Sequence, residues 1–177
     1  MENLFNKWKT KIPKYSEVNK DLFNSLSQKF GAEGEKKINF GKHFSTNYEL
    51  YIYAFFLGLY NDEFIPIPDK EKKVDFSHHI QFWGSKSTSI RKDFTILQEY
   101  IFMALVAKAD IDLIELDKGG ISEDDVIKTL ITTMESYTNG GLTLIREKID
   151  QNSNYFLQNT SFLNMILDSK LSKIIDE

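Results

Sequence analysis

The segment Tyr48–Tyr60 constrains the fold more than any other part of the chain. It is apolar or aromatic on nearly every side when its residues are placed at helical spacing. It is also too short to cross a bilayer, which takes about 20 apolar residues. A helix that is hydrophobic all round must be surrounded by other protein. The sequence therefore predicts a globule that is built around this one central helix.

The rest of the chain predicts an all-α fold. Its 177 residues fit one domain, which we expect to span residues 1–177. Apolar residues make up 41% of the chain, and most of them recur at intervals of three and four. We therefore expect a single helical domain of six to eight helices, with a minor β-hairpin as the one addition. Residues 61–75, which include Pro66 and Pro68, are expected to form an exposed loop.

Apolar periodicity and capping residues locate the remaining helices. Gly31 is expected to end the first helix, Ser45 or Thr46 to cap the central one, and Asn139-Gly140-Gly141 to form a tight junction between two later helices. Short apolar runs give three strand candidates. The predicted helices are Ser16–Phe30, Asn47–Tyr60, Ser89–Lys108, Ser122 to the Asn139 junction, Leu142–Asp150, and one or two within Asn154–Leu171; the strand candidates are Lys37–Phe40, Phe64–Ile67 and Val74–Trp83.

Residues 74–83 fit two structures, a strand and a helix, and the surrounding helices slightly favour the helix. Alternate residues are apolar, as in a strand, but Phe76, Ile80 and Trp83 also share one face of a helix. In both structures His78 and His79 point in different directions, so one metal ion is hard for both to reach. Neither histidine has an identifiable second group for acid–base catalysis. The sequence therefore predicts no metal site and no catalytic residue here.

Composition narrows the classes of protein to consider. The chain has no cysteine, which excludes disulfides and cysteine-rich zinc sites. Its first residues lack the apolar core of a signal peptide, and no run of 18 apolar residues occurs. We expect a soluble, cytoplasmic protein that needs no cofactor and does not enter a membrane.

Charge is distributed unevenly along the chain. Residues 1–92 carry 15 basic and 11 acidic residues, whereas residues 93–177 carry 7 and 15. Lysines bind phosphates without sequence preference, and an interleaved tryptophan could stack on a base. Such basic segments are candidates for binding a partner protein or a nucleic acid. The candidate residues are Lys7, Trp8, Lys9, Lys11, His78, His79, Trp83, Lys86, Arg91 and Lys92.

Three functions are compatible with these patterns. The first is a non-catalytic binding protein, an accessory or adaptor subunit that contacts a protein partner or a second copy of itself. The alternative is a nucleic-acid-binding accessory protein that uses the basic segments, although its overall charge is acidic and nucleic-acid-binding domains are clearly basic. The second alternative is an enzyme with a histidine-based site. Affinity for nucleic acid that falls steeply with salt would identify the nucleic-acid-binding protein.

Polar groups on the central helix carry a further expectation. Buried tyrosines need hydrogen-bond partners, and a buried Glu49 needs a compensating group. The basic N-terminal half of the chain is the nearest source of one. We therefore expect a hydrated or charge-paired flank on this otherwise apolar helix.

Overall fold

The computed structural model describes residues 2–27, 43–84 and 94–167, and it confirms the mainly helical fold that the sequence predicts. Within these ranges, no helix is both long and apolar enough to cross a membrane. The α-helices are α1 (Glu2–Lys9), α2 (Lys20–Leu26), α3 (Asn47–Asn61), α4 (Thr95–Lys108), α5 (Leu113–Asp117) and α6 (Glu123–Gln151), with further helical residues at 161–167; short 3-10 turns lie at Glu17–Asn19, Ile80–Phe82 and Tyr155–Leu157, and the strands are β1 (Lys14–Ser16) and β2 (Lys73–Asp75).

Contacts divide the chain into two units, each assembled from two separate stretches. The first unit comprises Met1–Tyr15 and Lys73–Glu135, and the second comprises Ser16–Lys72 and Ser136–Glu177. Helix α6 contributes its first part to one unit and its last part to the other. The prediction that residues 1–177 form a single domain stays a prediction.

The first unit is organised around aromatic side chains. Helix α1 packs on α4 and on the turn Ile80–Phe82. The Trp8 ring lies 5.7 Å from Phe102, and Trp83 meets Phe76 edge to face at 5.4 Å. The two-stranded antiparallel sheet pairs β1 with β2, which lie far apart in sequence, so it is not a hairpin. The candidate strand 74–83 ends early, at Asp75, and the rest of that segment is mostly irregular.

In the second unit, helix α3 is the central helix that the sequence predicts. Eight of its 15 residues are buried, although Tyr60 is partly exposed. The Tyr53 hydroxyl donates to the carbonyl oxygen of Phe162 at 2.6 Å, and burial raises the pKa of Tyr53. Glu49 is half-buried, and the charge partner that the sequence predicts for it stays a prediction. Its carboxylate accepts from the amide of Ser45 at 2.6 Å and also from that of Thr46, which completes a capping box at the start of α3.

The predicted helix junction at Asn139-Gly140-Gly141 is wrong, because α6 continues through it to Gln151. These glycines permit close contact between backbones. A Cβ atom at Gly141 would lie 2.7 Å from the carbonyl carbon of Ala54 on α3, and a Cβ atom at Gly58 would lie 2.9 Å from the amide nitrogen of Gly141. Helices α3 and α6 therefore cross with their main chains in contact, and the predicted helix Leu142–Asp150 is the last part of α6.

Other predicted boundaries moved or lie outside the described residues. The first helix was predicted to begin at Ser16, but that residue ends β1 and α2 starts at Lys20, while Val18 between them is exposed. The strand candidate Phe64–Ile67 is irregular, whereas Lys37–Phe40 and the first part of the helix predicted from Ser89 lie outside the described residues. Helix α6 begins next to Ser122, where the sequence predicts a helix start, and the Ser122 hydroxyl caps it by accepting from the Asp125 amide at 3.1 Å.

Candidate interaction surface

Two of the predicted basic segments meet in the first unit. The carbonyl oxygen of Lys11 accepts from the amide of Ile80 at 3.1 Å, and a ring nitrogen of His79 contacts the carbonyl oxygen of Thr10. The structure therefore brings the segment after α1 beside residues 78–83. Lys86, Arg91 and Lys92 lie outside the described residues.

Lys7 is engaged in an ion pair. Its ammonium group lies 2.5 Å from the Glu123 carboxylate at the start of α6, and Asn3 donates to the same carboxylate at 2.9 Å. The hydrogen bond with Glu123 raises the pKa of Lys7, and the same bond lowers the pKa of Glu123. The charge of Lys7 is therefore compensated within the protein.

The two tryptophans of the basic segments are core residues. Both Trp8 and Trp83 are fully buried. The indole N–H of Trp83 donates to the carbonyl oxygen of His78 at 3.0 Å, and the Trp83 carbonyl accepts from Gln98 at 2.9 Å. Neither ring is available to stack on a base while the unit stays folded, so the structure supplies no stacking surface at these two positions. No local pattern predicts this burial, because a tryptophan beside lysines is found both in cores and at binding surfaces.

The remaining candidate residues, Lys9, Lys11, His78 and His79, are at least partly exposed to solvent, and the contacts of Lys9 and His79 are with different aromatic rings. Lys9 lies over the Phe5 ring, 4.4 Å from its centroid, and Lys11 is exposed. His78 and His79 are both exposed, and the His79 ring packs against Phe82 at 5.9 Å. Among the described residues, no three His, Asp or Glu side chains are grouped as a metal site would need.

One side of helix α4, in the first unit, exposes large apolar side chains to solvent. Ile96, Tyr100 and Met103, which we call the α4 face, are 64%, 58% and 64% exposed. Their spacing of four and three residues places them on one side of α4. On the other side of the same helix, Ile101 and Leu105 are fully buried. Helix α4 is thus apolar on a buried side and on an exposed side.

The apolar periodicity that predicts this helix marks its buried side. The periodic residues are buried at Ile101 and Leu105 and half-buried at Phe94, Leu97 and Ala104. The second stripe has a signal of the same kind as Tyr48–Tyr60, since nearly every residue from 96 to 107 is apolar. The test for a helix that is hydrophobic all round would have found it.

The chain is acidic from the start of α4 onward, whereas Lys86, Arg91 and Lys92 precede the helix in the sequence. Residues 95–125 contain eight acidic and two basic residues. Of the two basic ones, Lys118 pairs with Glu115 at 3.3 Å. Glu99 is exposed and lies three residues after Ile96 and four before Met103, so it borders the α4 face directly.

A polar cluster in the second unit is internally satisfied. The Arg146 guanidinium forms a two-pronged ion pair with Asp21, at 2.7 and 3.1 Å, and also donates to Asn19 at 3.2 Å. Asn19 in turn donates to Asn139 at 3.1 Å, and Asn139 donates to the carbonyl oxygen of Ile65 at 3.2 Å. These bonds join α2, α6 and the loop after α3, which indicates a structural role for Arg146.

Comparisons with protein-family models, with curated proteins and with solved structures find no match to this chain.

Proposed function

We propose that this protein is a non-catalytic binding protein, an accessory or adaptor subunit of an intracellular assembly, and that it contacts a partner protein through the α4 face. The observation that supports the proposal is the exposure of Ile96, Tyr100 and Met103 on a helix whose opposite side is already buried. Contiguous exposed apolar side chains on a folded protein are typical of interaction sites.

The magnitude of the hydrophobic gain is appropriate for such a contact. Complete burial of a large apolar side chain contributes about 1.5–3 kcal/mol. Since roughly 60% of each residue is still exposed, docking would add about 1–2 kcal/mol for each, or about 3–5 kcal/mol in total. A micromolar complex requires about 8 kcal/mol, so the face would supply a large part of the required free energy. Tyr100 is also of a residue type that is enriched at the centres of interfaces.

Site-specific photocrosslinking in cells tests the proposal. A benzoylphenylalanine placed at Tyr100 keeps an aromatic side chain on the α4 face, and the same group at the exposed Lys128 of α6 is the matched control. We expect a discrete crosslinked species from position 100 that is absent from position 128. The crosslink should disappear when Ile96 and Met103 are both replaced by Ser, because the face loses its apolar contact area. Equal crosslinking at both positions, or none at position 100, would contradict the proposal.

A further inference from the structure

We infer that the partner segment that binds the α4 face is a basic amphipathic helix of another protein. This inference rests on the proposed function, since it names the chemistry of the partner at the same face. It follows from the shape of the exposed stripe and from the charge that borders it.

The shape of the face suits a helix. Ile96, Tyr100 and Met103 follow the i, i+4, i+7 pattern, which is the pattern of one helix packing on another. At 1.5 Å of rise per residue the stripe is about 10 Å long, and Ala107 extends it to about 16 Å. A partner helix of about three turns would cover it.

The charge around the face selects a cationic partner. Glu99 stands at the edge of the stripe, and the exposed Asp110 and Asp112 follow the end of α4. The C-terminus of α4 adds partial negative charge from its backbone carbonyl groups. Lysines and arginines that flank the apolar side of a partner helix would therefore meet opposite charge at the edge and at the end of the stripe.

The same charge argues against two other occupants. A second copy of the chain would place acidic residues against each other, because both copies carry the exposed Glu99, Asp110 and Asp112 at the edge and end of the stripe. Like charges at an interface are unfavourable. A nucleic acid would be repelled by the same residues, since its backbone is negatively charged.

A model peptide tests the inference directly. The probe is a fluorescein-labelled helix of about five turns, made only of leucine and lysine, with the leucines on one side. Its controls are a scrambled peptide of the same composition and an amphipathic peptide of leucine and glutamate. We expect anisotropy to report binding of the leucine–lysine helix alone, and the affinity to weaken but persist when salt is raised, because charge and apolar contact both contribute.

Paired variants locate the binding. Replacing Tyr100 and Met103 by Ala should weaken binding at least about tenfold, whereas Leu163→Ala, which removes an exposed leucine elsewhere, should leave it unchanged. Glu99→Lys should weaken binding about fivefold, and Glu147→Lys, at another exposed acidic position, should have little effect. Circular dichroism spectra that match the parent protein would show that each variant is folded.

The outcomes separate this inference from the proposed function. Binding of the acidic peptide, equal binding of the scrambled peptide, insensitivity to the Tyr100 and Met103 substitutions, or dimerisation through the α4 face would overturn the basic-helix inference. If position 100 crosslinks to a partner whose attached segment is acidic or uncharged, the proposed function stands and the inference fails. If position 100 gives no crosslink, both fail.

Discussion

Replacing Gly141 by Ala tests whether α3 and α6 cross with their main chains in contact. The added Cβ would lie 2.7 Å from the carbonyl carbon of Ala54, whereas carbon atoms in contact are ordinarily about 3.5–4.0 Å apart. The obstacle is backbone, so no side-chain rotation can relieve it. The two helices must therefore separate by about 1 Å, which weakens dispersion contacts on both sides of the crossing.

The expected loss of stability follows from two opposing contributions. Inserting a methyl group into a packed core costs about 1–3 kcal/mol, and contact with a rigid main chain places this site at the upper end. Alanine in a helix is about 1 kcal/mol more favourable than glycine, which offsets part of the cost. The free energy of unfolding should therefore fall by about 2 kcal/mol, and the melting temperature by about 4–8 °C.

Thermal and urea unfolding followed by circular dichroism would measure the effect, with Gly120→Ala as the matched control. A Cβ atom at Gly120 would approach the end of the flexible Glu115 side chain and otherwise only ordinary contacts, so its effect should stay within about 0.5 kcal/mol. Gly58→Ala should destabilise in the same way as Gly141→Ala. The double variant should lose less free energy of unfolding than the sum of the losses in the two single variants, because one separation of the helices accommodates both methyl groups. A Gly141→Ala protein as stable as the Gly120→Ala protein would refute the close crossing.

Two further predictions concern charged groups. Arg146→Met should lower the free energy of unfolding by about 1–3 kcal/mol, because it leaves a buried Asn19 oxygen without its donor. The Arg146 hydrogen bond also lowers the pKa of Asp21, so the parent protein loses stability as the pH falls through and below about 3.9. Urea titrations at several pH values should show a smaller loss of stability in acid for the variant than for the parent. Burial raises the pKa of Glu135, whose carboxylate accepts from the Lys14 amide at 2.7 Å. The folded state therefore binds this proton more tightly, and stability falls as the pH rises from about 4.3 through the raised pKa. Glu135→Gln keeps an acceptor without the charge, so it should be more stable than the parent at neutral pH and lose that advantage in acid; an advantage that does not change with pH would contradict this assignment.

Patterns confined to one helix were predictable from the sequence. The burial of Tyr48–Tyr60 follows from its having no polar side, and the Ser122 cap follows from a local hydrogen bond. The capping box of Thr46 and Glu49 was equally readable, since a threonine followed three residues later by a glutamate is its signature.

Features that depend on contacts between distant residues were not predictable in this way. A Gly140-Gly141 pair has the same local sequence at the end of a helix and at a close crossing, and only the proximity of Ala54 decides between them. Trp8 likewise lies in a basic segment whose sequence gives no indication of the Phe102 ring beside it. For the interaction surface, the sequence shows that α4 is apolar on nearly every side, but only the structure shows which of those sides is exposed.

Each of the two units is assembled from two stretches that are far apart in the sequence, and this has a consequence for synthesis on the ribosome. Lys7 meets Glu123, which is 116 positions later, and Asp21 meets Arg146, 125 positions later. At about 5–20 residues per second, an N-terminal segment waits roughly 6–25 s for its partner to be made. During that interval Leu4 and Trp8, which are buried in the finished protein, have no core to enter. Nascent chains of this protein should therefore depend on chaperones more than chains whose units are continuous in sequence.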